Sequence, residues 1–199
     1  MNTDLTEAPG TTSTAAPANA SRRGAPDAPV PLRRDRIAAG VRIVFGLAWL
    51  VDAALKWTPH FRRDYLDHLA EGAEGKPSWM QPWFDFWRNL QSPAPKAWAI
   101  FVAVVETLIA LALLFGVARK LTYFGAAAFS VMIWATAEGF GGPYTGRGAD
   151  VDVGAGLIYA IAFVALLLLT ADRPDPFSLD TVIERRWGWW RRLAEWGTR

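Results

Sequence analysis

Residues 36–57 read RIAAGVRIVFGLAWLVDAALKW, and the fold turns on what this stretch does with its charges. It is apolar over about 20 residues, the length a helix needs to cross the hydrocarbon core of a bilayer. Yet Arg42, Asp52 and Lys56 lie inside it. Each such group costs roughly 2.5–3.5 kcal/mol near the bilayer centre on insertion scales. A helix carrying three of them must turn one side toward protein, water or a ligand. Arg42, Gly46, Trp49, Ala53 and Lys56 recur at the spacing of one helical stripe, with Asp52 beside it and one turn from Lys56. That stripe is expected to face the inside of a bundle.

Three more apolar blocks follow, at about 97–115, 121–137 and 151–171. Gly116 with Arg119 and Lys120 ends the first. Glu138 and the turn-rich GFGGPYTGRGAD end the second, and Asp172, Arg173 and Pro174 stop the third. The apolar share is 52% with 11 Trp, high for a soluble chain of 199 residues. The expected class is an all-α membrane protein: a four-transmembrane-helix bundle over 36–172, its first span at about 37–57.

The flanks differ in character. Residues 1–35 are rich in Ala, Pro, Thr, Ser and Gly and are expected to be a disordered tail. Asp4 and Glu7, with no apolar core before a cleavage site, argue against a signal peptide. Residues 58–96 hold FRRDYLDHLAEG, with Phe61, Tyr65 and Leu69 on one face of a short amphipathic helix, and then an aromatic run from Trp79 to Trp87. That run has two readings, an aromatic belt at the membrane interface or a lid over a site between the helices. Residues 173–199 mix Trp187, Trp189, Trp190 and Trp196 with Arg185, Arg186, Arg191 and Arg192, the composition of an interfacial amphipathic helix on an anionic leaflet. Lys and Arg in both tails and at 119–120 outnumber those in 58–96 and at Arg147, so both termini are expected to be cytoplasmic.

Several classes drop out. There is no cysteine, so thiol exchange, disulfides and thiolate metal sites are excluded for this chain. His60 and His68 are the only histidines, which argues against a multi-histidine haem or metal site, and no metal is expected. A net charge of +2 gives no reason to expect a nucleic acid partner. Neither G-x-S-x-G, H-E-x-x-H nor a P-loop occurs, and the glycine-rich GFGGPYTGRG reads as an external turn.

Helical rise of about 1.5 Å per residue places the charges in depth. Counting from Arg36, Arg42 lies roughly 9 Å in; counting from Lys96, Glu106 lies roughly 15 Å in. These levels are about one turn apart, so Arg42 and Glu106 are expected to pair. Asp52 and Lys56 fall near the outer face, where Lys56 can snorkel to the interface. Glu106 is too short and too deep to do so and needs a partner. Asp152 is expected to cap its helix, Glu138 and Asp150 to be solvated loop charges, and the histidines to be interface residues.

The first helix, with Arg42-x-x-x-Gly46 and Lys56–Trp57, resembles the start of the DoxX/DoxD-like membrane proteins. ETLIALALLFGVAR, from Glu106 to Arg119, resembles that family's second-helix signature, and DVGAGLIY, from Asp152 to Tyr159, the start of its last helix. The likeness covers about 36–172. The long aromatic loop resembles the DoxD-type branch, the small subunit of thiosulfate:quinone oxidoreductase. The resemblance implies a multi-pass protein of the bacterial plasma (inner) membrane, linked to thiosulfate, thiol or quinone redox chemistry. It implies a quinone as the ligand, with Glu106 and Arg42 as catalytic candidates and Asp52, Lys56, Trp49 and Trp57 as quinone-binding candidates. It also implies soluble partners: a sulfurtransferase, a superoxide dismutase or an oxidoreductase large subunit. A non-catalytic scaffold for soluble redox proteins and a proton or small-solute transporter are the alternative readings.

Overall fold

The computed structural model describes residues 33–142, 153–170, 175 and 177–195. Expectations for the tail before residue 33 and for Arg147, Asp150, Asp152, Arg173 and Trp196 lie outside the described residues. Within them the chain is built from helices. In order these are α1 (Arg33–Lys56), α2 (Pro59–Arg63), α3 (Tyr65–Glu71), α4 (Gln81–Gln91), α5 (Pro95–Phe115), α6 (Arg119–Ala135), α7 (Ala155–Thr170), α8 (Asp180–Arg186) and α9 (Arg191–Ala194), with short 3-10 turns at Ser78–Met80 and Gly188–Trp190.

The long helices are inside out relative to a soluble bundle. On α1 the exposed residues include Ile37, Val44, Leu47, Val51 and Leu55, while Ala39, Arg42, Gly46, Trp49 and Ala53 are buried. This buried face is the stripe that the spacing predicts. An apolar outer surface of this extent suits hydrocarbon, not water. By length and composition α1 and α5 can each cross a membrane; α7 is apolar but shorter, at 16 residues.

The bundle is two helix pairs. α1 packs along α5, and α6 along α7, while contacts between the pairs are sparser. Small residues set the first pairing. Ala99, Ala103 and Ala110 are fully buried on α5 opposite the Ala39–Gly46–Ala53 edge of α1, so the backbones approach closely. The pairs meet at one end in a core of Trp49, Leu113, Tyr123, Ala126, Phe163 and Leu166. There Phe163 of α7 packs on Phe45 and Trp49 of α1, ring centroids 4.8 and 5.3 Å apart. Toward the other end the pairs diverge and leave a cavity.

Helices α2–α4 close that end. The expected single amphipathic helix is broken at Asp64 into α2 and α3, yet Tyr65 and Leu69 still point inward and are buried. α4 lies in the aromatic run, where Pro82 in its first turn suits a helix start. Its inward side chains are Phe84 and Gln91. This cover is fastened to the end of α6. Trp83 Nε1 donates to the Ala135 carbonyl at 2.7 Å, and Phe140 packs among Trp83, Phe84 and Trp134. Gly72 and Gly139 meet backbone to backbone, and Gly139 adopts φ +56°, so a side chain at either would collide with the opposite strand of the chain.

The C-terminal segment differs from the expected continuous interfacial helix. Trp187 is extended (φ −132°, ψ 93°) and splits it into α8, a 3-10 turn and α9. Its start is tied to the bundle. Leu179 N–H donates to Phe115 O at 2.9 Å and Asp180 N–H to Gly116 O at 3.2 Å, taking up carbonyls at the end of α5. Gly116 sits at φ +63° with Ser178 and the Arg42 guanidinium where a Cβ would go.

Candidate functional site

Two polar centres lie at opposite ends of the bundle. The first surrounds Arg42, whose residue is only 1% exposed. Its guanidinium donates to Asp175 at 3.2 Å, to Leu114 O at 3.1 Å, to Phe177 O at 3.1 Å and to Leu113 O. Side chains on a helix lean toward its N-terminus, so Arg42 reaches back to the last carbonyls of α5. Glu106 is two turns further along α5, about 10 Å away by helical rise. The expected Arg42–Glu106 pair therefore does not form.

Next to it, Asp180 is fully buried and gathers donors from three directions. It accepts from Ala118 N–H at 2.6 Å, Arg119 N–H at 3.1 Å, Arg119 Nε at 3.2 Å and Trp190 Nε1 at 2.7 Å. Ala118 has no polar side chain with which to cap α6, so a carboxylate from far along the chain does so, where the helix dipole favours it. Asp175 and Asp180 thus clasp the C-terminal segment onto α1, α5 and α6. Neither residue stands out in the sequence. Acidity in a net-basic tail does not single them out, since Glu184 and Glu195 share it.

The second centre is the cavity, of about 480 Å³. Its floor is made by α1 and α5. Lys56 leans down α1 by the same helical tilt and meets Asp52 at 3.2 Å and Glu106 at 3.7 Å. Lys56, not Arg42, is the partner of Glu106, and it points inward instead of snorkelling out. Glu106 is fully buried. The Lys56 ammonium also lies 5.4 Å from the Phe61 ring centroid, a cation–π contact with the cover.

The walls are aromatic. Trp49, Trp87, Trp98, Phe101, Phe129 and Tyr159 contribute from α1, α4, α5, α6 and α7. Polar atoms are set among them. Trp49 Nε1, Trp87 Nε1 and Ser130 Oγ are buried with no hydrogen-bond partner among the described residues. Such atoms ordinarily find one, so each is available to something the protein binds. From the cover, buried Tyr65 donates to Gln91, and burial pushes its phenol up to about 12, above the ordinary tyrosine value. At the far rim Glu138 accepts both ways from Gly156 N–H, at 2.9 and 3.0 Å, and so holds the start of α7. It is a helix cap, not the solvated loop charge expected.

Of the six residues singled out from sequence, Asp52, Lys56, Glu106 and Trp49 come together on the cavity wall. Arg42 belongs to the clasp. Trp57 turns outward, 45% exposed, with Nε1 on Thr107 Oγ1 at 3.0 Å. Ser130 was missed, and Trp87 was read only as part of the aromatic run. Ser130 carries a legible signal, a hydroxyl inside an apolar block, whereas Trp87 is one aromatic among many.

No curated protein and no solved structure matches the chain. The sequence model of the DoxX family matches residues 37–139, which run from α1 through α6 and include the cavity floor and Ser130. That is more than half of the chain. With its apolar outer faces and spanning helices, the chain is a membrane protein and a member of the DoxX family.

Proposed function

We propose that this chain is a multi-pass plasma-membrane subunit of a quinone-linked redox system, and that the cavity between its helix pairs holds the quinone head. In this reading α6 and α7 also span the bilayer. Supporting it, Phe124 and Val131 on α6 and Ile158, Ile161 and Leu168 on α7 are exposed like the outer face of α1. The excess of Arg at the clasp end supports a cytoplasmic placement of that end.

The observation that carries the ligand assignment is the pairing of an aromatic-walled cavity with buried, unpartnered polar atoms and an ionisable floor. A volume of about 480 Å³ accepts a substituted ring. Trp49 and Ser130 would donate to ligand oxygens, while Glu106 and Lys56 would hold and pass a proton at the floor. The cover, through Tyr65 and Leu69, limits water. A bound quinone supplies two-electron, two-proton carrier chemistry.

The test is binding of a short-chain quinone to purified protein in an uncharged detergent. Saturable binding is expected, weakened about tenfold or more in Glu106→Gln, the scale of one hydrogen bond to a charged group. Membranes carrying that variant are expected to lose quinone reduction. Unaltered affinity and activity in Glu106→Gln contradict the assignment.

A further inference from the structure

The C-terminal segment from Phe177 to Glu195 takes no part in the cavity, and its place is fixed from both ends. Leu179 and Asp180 hold its start to the last carbonyls of α5. Further along, Trp190 Nε1 donates to Asp180 at 2.7 Å and Glu195 pairs with Arg119 at 3.5 Å. α5 is long and apolar enough to cross the membrane, which puts its last carbonyls where hydrocarbon gives way to headgroups. The segment is therefore bolted to the bundle at the level of the bilayer surface.

Within it the two signs of charge are sorted. Asp175 pairs with Arg42, Asp180 with Arg119, and Glu184 with Arg191 at 3.7 Å. Arg185, Arg186 and Arg192, by contrast, are exposed and form no ion pair among the described residues. Exposed apolar side chains stand among them: Leu179, Val182, Trp187 and Trp189. Phe115, whose carbonyl takes the Leu179 N–H, is exposed as well, so the apolar outer face of α5 runs into that of the segment. Water rewards the arginines and penalises the rest. A headgroup layer suits both, because Trp rings settle at that level and a guanidinium grips a phosphate through two N–H donors. The position at bilayer level favours lipid over a soluble acidic protein.

We infer that the C-terminal segment is a preformed binding surface for anionic phospholipid headgroups: Arg185, Arg186 and Arg192 hold the phosphates, and Trp187 and Trp189 seat it in the interface. This does not depend on what the cavity holds. A free amphipathic helix could leave the leaflet, whereas this surface exists only while the clasp is closed. Lipid bound to it therefore stabilises the clasp by mass action, and the composition of the leaflet sets how firmly the segment is held.

The test follows amide exchange over residues 178–195 in the full chain, reconstituted in lipid discs of phosphatidylcholine alone or mixed with phosphatidylglycerol. The anionic lipid is expected to slow exchange there at least about tenfold, since each of three arginines gains from the negative surface. Residues 98–112 are expected to change little. Combining Arg185→Gln, Arg186→Gln and Arg192→Gln leaves the Asp180 contacts in place and is expected to reduce the effect to about twofold or less. Salt at roughly 0.5 M is expected to weaken it in the unaltered chain. Equal exchange in the two kinds of disc overturns the inference and leaves the arginines to a soluble acidic partner. Slowing that survives the triple substitution also overturns it, because the lipid then acts elsewhere. Equal slowing by inorganic phosphate in phosphatidylcholine discs overturns it in favour of a free-anion site.

Discussion

Arg42→Met is expected to destabilise the protein by about 3–5 kcal/mol, the range for breaking a buried ion pair from one side. The methionine fills similar space but leaves Asp175 without its cation and strips donors from Leu113, Leu114 and Phe177 carbonyls. The Leu113 carbonyl and Asp175 are buried with Arg42 and cannot simply turn to water. Equilibrium unfolding in mixed micelles measures the loss. Adding Asp175→Asn to Arg42→Met is expected to recover part of it, because the stranded charge is then gone. A loss below about 1 kcal/mol, the level of an exposed pair, means that Arg42 is not the keystone of this end.

Asp180→Asn is the sharper probe of the clasp. The change is nearly isosteric, so packing is preserved while the charge that holds four donors disappears. The amide also turns an NH2 toward N–H groups of Ala118, Arg119 or Trp190. A loss of about 3 kcal/mol follows, concentrated where the clasp is. Amide exchange over residues 178–195 is expected to rise roughly a hundredfold, since 1.4 kcal/mol is a factor of ten in a local opening equilibrium. Residues 98–112 of α5 should change far less. Equal acceleration across both regions contradicts the clasp as a separable device, and no acceleration anywhere contradicts the hydrogen-bond geometry itself.

These two residues also show what the sequence could and could not convey. The membrane class was legible because apolar blocks near 20 residues have few other uses. The inward stripe of α1 was legible because helical periodicity is rigid. Pairing was harder. Depth reckoned along Cα positions put Arg42 beside Glu106, but long side chains follow the helical tilt toward the N-terminus. Arg42 therefore lands a notch toward the clasp and Lys56 a notch toward the midplane. One systematic lean exchanges the partner of Glu106. The same lean changes Lys56 from a rim residue into part of the cavity floor.

The ends of the bundle were illegible for a different reason. Asp180 acts on backbone groups at the α5–α6 junction, more than 60 residues earlier, and Asp175 on the Arg42 side chain, 133 residues earlier. No local pattern advertises such a contact. The cover was half legible. Tyr65 and Leu69 stood out by their spacing, but the close approach of Gly72 to Gly139 joins two segments that sequence leaves unrelated. Placed together, these features make the cavity wall a product of every long helix, with the Asp52–Lys56–Glu106 floor drawn from α1 and α5 alone.

The proposed function requires a ring-bearing ligand inside the bundle, between the helix pairs. Photolabelling of the membrane-embedded protein with an azido-quinone, followed by peptide mapping, tests it most directly. Adducts are expected within 49–56, 98–106 and 129–137, the stretches that contribute Trp49, Lys56, Trp98, Glu106 and Ser130 to the cavity, and unlabelled quinone should suppress them. Adducts instead on the outer faces, at residues such as Val44, Leu47, Ile161 or Leu168, and not suppressed by competitor, contradict it.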